Sequence, residues 1–270
     1  LGEVGGSQQF AIAASAAVTT MTSDVDAGIG AGALVNQETE FAAEVDQSVV
    51  VDADHTMTML GVGGALAIGG KVGVGASVDV ELIDRHAGAR VNARDDVTVE
   101  ATDSLDTISV TATAAIAYTG GGIAVDGSVG VLDYDNEVLA TIGANAVVDV
   151  QDDITVNADA ALDVLMIEAG VAGGGNAGFG GSVGVLLHDN LVRASIGAAA
   201  SVKADGDLLV SADNTTDHVA VAGSLAIGAS LAGIGIASAT IVQNETVEAT
   251  VGNGAALEAL GAGQVASVKT

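Results

Sequence analysis

A block of sequence returns along this chain at a constant interval. GSVGVLDYDNEVLATIGANAVVDVQDDITVNA over 127–158 is followed by GSVGVLLHDNLVRASIGAAASVKADGDLLVSA over 181–212. Gly127 returns as Gly181, Asn136 as Asn190, Ile142 as Ile196 and Ala158 as Ala212, each 54 residues on. A unit of this length made of small residues cannot enclose a core by itself. Stacking it on its neighbours buries a continuous one, so the repeat points to a quasi-one-dimensional array.

Within the unit, apolar and polar residues alternate with period two. In VDVQDDITVNA, Val148, Val150, Ile154 and Val156 share one face, Asp149, Thr155 and Asn157 the other, and Gln151–Asp153 breaks the pattern as a turn. The Gly-rich stretch 219–241 alternates too, and its internal Gly and β-branched residues argue for strand over helix. There is no proline, as expected where most segments are paired on both sides. Aromatics are 2% of the residues, so the interior is expected to be thin and built from Ala, Val, Ile, Leu and Gly. The predicted class is all-β, an elongated β-solenoid of tandem repeats of roughly 54 residues. Ordinary strand lengths predict about three windings per unit, roughly 14–15 in all, and a rod of about 70 Å.

The VxVxA element marks the units: VVVDA (49–53), VTVEA (97–101), ITVNA (154–158) and LLVSA (208–212), with an echo near Val265. It divides residues 1–270, one continuous array, into approximate units 11–53, 54–101, 102–158, 159–212 and 213–268. Unequal spacings predict insertions at corners, and a deletion in the first unit between Val45 and Val49. Between the second and third units an interval of 57 aligns Gly70–Val74 with Gly127–Val131, and Asp95-Asp96 with Asp152-Asp153. The chain opens without a basic and apolar leader and closes inside a repeat, so it is expected to be an excerpt of a longer protein.

The net charge is −28, from seven Lys and Arg against 35 Asp and Glu. Such a polyanion is repelled by nucleic acid phosphates and by anionic membranes. The missing aromatic girdles disfavour a membrane barrel. Cysteine is absent, which excludes disulfides, thiolate metal sites and thiol nucleophiles.

Several short patterns resemble catalytic motifs. Gly180–Gly184 spells G-x-S-x-G, but strand-like sequence follows where a nucleophile elbow needs a helix. Gly173, Gly175 and Gly178 fit a lone G-x-G-x-x-G, and Gly70-Lys71 the end of a phosphate loop with Val72 where Ser or Thr is needed. His55, His86, His188 and His218 share no repeat position and are expected on exposed coil. Asn214 and Asn244 head N-x-T sequons. No catalytic residue is assigned.

The repeated acids are the better candidates. Asp135-Asn136 and Asp189-Asn190 recur in register, with Gln243-Asn244 next, and Asp152, Asp153, Asp205 and Asp207 recur at the turn. Stacked Asn side chains form amide ladders. Stacked carboxylates repel one another unless a hard cation such as Ca²⁺ lies between them. Asp135, Asp189, Asp152, Asp153, Asp205 and Asp207 are therefore the candidate calcium ligands, with structural turns and an Asn ladder as the competing account.

The run GSVGVLDYDNEVLATIGANAVVDVQDDITVNA (127–158) and its copies resemble the repeats of very large bacterial secreted adhesins. They are similar to the leukotoxin-type filamentous adhesin family and, more loosely, to haemagglutinin-like and autotransporter passenger β-helices. The resemblance covers about residues 11–268 and implies export, an extracellular or cell-surface location and an elongated β-solenoid. The expected function is a non-enzymatic stalk or fibre segment, needing no cofactor. Its expected partners are other repeats of the same protein, further copies joined end to end, and a host or neighbouring cell surface. The alternatives are a flat β face binding carbohydrate or mineral, and a polysaccharide-active enzyme on a β-helix.

Overall fold

The computed structural model describes residues 2–7, 9–26, 48–89, 96–260 and 266–269. Among these residues there is no helix. The chain is all-β, and its strands form three parallel sheets. The first long sheet runs in the order β1 (Gly2–Ser7), β3 (Val49–Gly69), β5 (Val97–Ala117), β8 (Ile154–Gly174), β11 (Leu208–Gly228) and β14 (Ala266–Lys269). The second long sheet holds β2 (Phe10–Asp26), β4 (Val72–Ala89), β6 (Ile123–Ile142), β9 (Ala177–Ile196) and β12 (Ala232–Val251). A short sheet holds β7 (Val147–Val150), β10 (Ser201–Ala204) and β13 (Ala256–Ala259).

The chain visits the sheets in a fixed order. β8 lies in the first sheet, β9 in the second and β10 in the short one; Leu208 then starts β11 beside Ile154. One circuit of the three sheets therefore uses the whole 54-residue interval. This corrects the expectation of three windings per unit. The estimate assumed strands of ordinary length, whereas β8 and β9 run 21 and 20 residues without a break. At about 3.3 Å per residue such strands span nearly 70 Å, so the breadth of each circuit takes up the length assigned to the rod axis.

Length differences fall at the connections. Two residues link β3 to β4, five link β5 to β6, and two link β8 to β9. The longer link at 118–122 changes the register from 48 residues between β3 and β5 to 51 between β4 and β6, where Val72 faces Ile123. The expected alignment of Gly70–Val74 with Gly127–Val131 is thus corrected. Ala76, Ser77 and Val78 are the partners of Gly127, Ser128 and Val129. The aligned Asp96 and Asp153 remain neighbours, with the Asp153 amide donating to Asp96 Oδ1 at 3.2 Å. The deletion expected between Val45 and Val49 lies largely outside the described residues. The corner between the second and short sheets takes a left-handed residue in three successive circuits: Asn145, Ala199 and Gly254, with φ of 57°, 55° and 74°.

Alternation places every second side chain inside, as expected for VDVQDDITVNA: Val148, Val150, Ile154 and Val156 are buried. Near the short sheet the interior is aliphatic, with Val97, Val99, Val138, Ile142, Ile154, Val192 and Ile196 in one cluster. Beside the tight links it is alanine, with Ala11, Ala13, Ala65 and Ala67 in one cluster and Ala115, Ala117, Ala124 and Ala172 in another, and before them it is not aliphatic. Asp79, Asp126, Glu168, Thr111, Thr113 and Ser128 are all buried there. An interior of small aliphatic residues alone was expected; a polar band runs through it. Glycines make the room. A Cβ on Gly130 would overlap Glu168 Oε1, and one on Gly75 would lie 3.1 Å from Asp126 Oδ1.

Candidate functional site

Two groups of polar side chains merit description as sites: acids at the corner between the short and first sheets, and an amide–imidazole cluster between the long sheets.

The corner acids lie in the turns that follow β7 and β10 and, for Asp96, just before β5. Asp96, Asp152 and Asp153 each offer a carboxylate oxygen, and the three oxygens lie within 4.8 Å of one another. Asp152 and Asp153 are exposed and Asp96 is half-buried. One circuit on, the Asp207 amide donates to Asp153 Oδ1 at 2.7 Å, so Asp153 also caps the next turn. Three carboxylates facing solvent suit a hard divalent cation completed by water. Asp205 has a different partner. Lys203 Nζ lies 3.3 Å from Asp205 and 3.2 Å from Asp149, and these contacts raise the lysine pKa. The ammonium group supplies the positive charge there.

Asp135 and Asp189 are register partners on β6 and β9 and point outward. Asp189 accepts a hydrogen bond from Asn244 Nδ2 at 3.3 Å. Neither belongs to the corner trio. The structure thus joins Asp152 and Asp153, adds Asp96, and leaves Asp135, Asp189, Asp205 and Asp207 outside that trio.

The interior cluster begins with the residues after those two acids. Asn136 Nδ2 donates to Asn190 Oδ1 at 3.0 Å, and Asn190 Nδ2 donates to Asn214 Oδ1 at 2.8 Å. The expected ladder therefore exists for two rungs and then crosses to the facing sheet. Asn244 was expected as its third member. β12 instead pairs with β9 at an interval of 55, which sets Asn244 beside Asp189 and brings Glu245 to the ladder position. A one-residue slip exchanges the two faces of a strand.

His188 and His218 lie inside the same region, not on exposed coil as expected. The His188 ring packs 5.2 Å from Tyr134 and 4.8 Å, edge-on, from His218. Burial, aided by the neighbouring His218, pushes the His188 pKa down to about 4. Burial lowers His218 as well. Glu245 Oε1 stands 3.9 Å from His188 Nδ1, beyond hydrogen-bond reach. His55 also points inward, its Nδ1 3.2 Å from Asp103 Oδ1. The side chain of His86 is outside the described residues. The missed signal for His188 was parity: it sits two residues before Asn190 on the same strand face.

Further along the interior, Thr113 donates to Asp126 Oδ2 at 2.9 Å. Burial still raises the Asp126 pKa to about 6, and burial raises that of Asp79. The three catalytic look-alikes lie in strands and links. Ser182 is buried in the middle of β9 and donates to the Gly223 carbonyl at 2.9 Å, so the strand continues where an elbow would turn into a helix. Gly173, Gly175 and Gly178 span the link from β8 to β9, and Gly70-Lys71 links β3 to β4. No helix among the described residues is long and apolar enough to cross a membrane.

A scan against protein-family models, a search of curated proteins and a search of solved structures each returned no match.

Proposed function

We propose that this chain is a stalk or fibre segment of an extracellular bacterial adhesin, built as a β-solenoid whose windings are the successive circuits of the three sheets. One observation carries the proposal. Register is kept residue by residue through four consecutive full-length strands of the first sheet, from Val49 opposite Val97 to Leu208 opposite Ile154. Main-chain hydrogen bonds then run along the stacking axis. Extension along that axis loads many bonds in parallel, which suits a spacer. Each added repeat contributes about 4.8 Å of reach. The acid-rich corners keep such rods apart in water.

In this reading the protein has no catalytic role and its ends meet further repeats or further copies. The trio Asp96, Asp152 and Asp153 favours a corner braced by calcium from the medium. Electron microscopy of the native material tests the proposal. Slender unbranched rods or filaments with an axial repeat near 4.8 Å are expected. A compact particle without that repeat would overturn it.

A further inference from the structure

The outer faces of the long sheets carry a second surface, distinct from the ends of the stack. On the second sheet, the row Ile12, Val74, Val125, Phe179 and Ile234 runs in register across all five strands. Four residues further along each strand, Ala16, Val78, Val129 and Val183 form a second row. Between them Ala14, Ala76, Gly127 and Gly181 make a shallow trough on four strands, which Ile236 closes on β12, where Ser238 continues the second row. The ridges are open to solvent: Ile12 is 72% exposed, and Val125, Val129, Phe179 and Val183 are each close to 40%. From the tight link to Val18, Val80, Val131, Val185 and Thr240, no outward position on these strands carries a charge. That is a notable gap in a chain of net charge −28.

We propose that this face seats the same face of a second copy of the chain, sheet against sheet. The uncharged area spans about ten residues by five strands, roughly 33 by 24 Å, or about 800 Å². That equals what one partner contributes to a standard stable interface. Over β4, β6 and β9 the ridge–trough–ridge relief is self-complementary, which a two-fold contact requires. Two such polyanions can approach closely only where neither presents charge. The outer face of the first sheet near the links is also uncharged, with the trough Gly64, Ala112, Ala169 and Gly223 between the unbroken row Val62, Val110, Ile167 and Val221 and the row Leu66, Ala114, Val171 and Leu225. It spans four full-length strands against five, and so offers the smaller area. A lipid surface is a poorer occupant, because Asp133, Asp135 and Asp189 stand outward on the same face just beyond the uncharged area and are repelled by anionic headgroups. The proposal does not depend on the chain being a stalk.

Sedimentation equilibrium of the 270-residue chain tests it, in moderate salt that screens the net charge. The expected result is a monomer–dimer equilibrium that weakens at least tenfold in Val129→Asp/Val183→Asp and is unchanged in Leu225→Asp on the opposite face. Circular dichroism should show all three proteins equally folded, since the altered side chains are exposed. Phe179→Ser gives an uncharged second variant, expected to weaken the dimer in the same direction. Monomer throughout, or dimers indifferent to the Val129/Val183 change, would overturn the proposal. So would dimers lost only in Leu225→Asp. Flotation of a monomeric protein with phosphatidylcholine vesicles, abolished by Val129→Asp/Val183→Asp, would overturn it in favour of lipid.

Discussion

Asn136 and Asn190 are register partners on β6 and β9, and the amide of the first donates to the side-chain carbonyl of the second at 3.0 Å. Both are 1% exposed. Asn190 passes the chain of bonds to Asn214 on the facing sheet. Replacing Asn190 with Ala removes two hydrogen bonds and strands a buried donor on Asn136 and a half-buried acceptor on Asn214. The expected loss is about 2–4 kcal/mol, read as a fall in the urea midpoint. Asn244→Ala, outside the ladder, should cost under about 0.5 kcal/mol. Equal costs for the two would show that the ladder does not stabilise the stack.

The copies at 123–142 and 177–196 repeat in space, and the reason is chemical. A parallel ladder pairs each residue with its copy, so matching side chains at 136 and 190 meet directly. The class of fold and the Asn ladder were legible for that reason. The winding number was not, because nothing in a run of alternating residues says where a strand should end. The links at 70–71 and 175–176 are too short to announce themselves among so many glycines. The register of β4 was misread because GKVGV at 70–74 looks more like GSVGV than the true partner ASVDV at 76–80 does. The buried acids were hidden by the same logic. Asp126 and Glu168 sit at inward parity, but a charge in a period-two pattern reads as an outward residue. Only the glycines around them, Gly130 and Gly170, record the space they take.

Ala199 holds the left-handed corner position that Asn145 and Gly254 fill in the neighbouring circuits. Its Cβ is strained at φ of 55°, by about 1 kcal/mol, whereas Gly accepts that geometry freely. Ala199→Gly is therefore expected to raise stability by up to about 1 kcal/mol, reduced by the added freedom of the unfolded chain. Thermal unfolding checks the sign. A lower midpoint for Ala199→Gly would mean that the corner is not strained.

Stability should depend on pH through two buried groups of opposite sign. Asp126 is lifted from 3.8 to about 6, so between those values the folded protein holds its proton more tightly than the unfolded chain does. Its contribution is complete below pH 3.8 and is lost as pH rises through 6. His188 is lowered from 6.5 to about 4, so its contribution is complete above pH 6.5 and is lost as pH falls towards 4. Asp126→Asn should then be more stable than the parent at pH 7.5, by about 1–2 kcal/mol. His188→Tyr, which copies its register partner Tyr134, should lose less stability on acidification. Urea titrations at three pH values measure both; unchanged pH slopes in the variants would reject these assignments.

Calcium should act at one corner and not along the outward Asp pairs. Asp96, Asp152 and Asp153 converge within 4.8 Å, whereas Lys203 already bridges Asp205 and Asp149. Millimolar calcium is expected to raise the melting midpoint by about 2–5 °C, as binding to the folded state alone requires. Asp96→Asn/Asp152→Asn should abolish the shift, and Asp135→Asn/Asp189→Asn should leave it. A shift that survives the first pair and disappears with the second would move the ion to the β6–β9 face.

The circuit length itself makes the last prediction. Leu208 lies beside Ile154, and the Ile154 amide donates to the Asp207 carbonyl at 2.8 Å. Removing 154–207 joins Asp153 directly to Leu208 at an equivalent point of the next circuit. If each unit is one winding, the shortened chain keeps every corner and loses one strand from each sheet. It should fold with the same circular dichroism per residue and a rod shorter by about 4.8 Å. With three windings per unit, the same deletion would shorten the rod by about 14 Å. Small-angle scattering separates these lengths. Deleting 27 residues, 154–180, should instead remove all of β8 and join Asp153 to Gly181 inside β9, so that a second-sheet strand begins where a first-sheet strand belongs, and the protein should not fold. Tolerance of the half-unit deletion would mean that the sheets are not wound in whole circuits, and the stalk reading would fall with them.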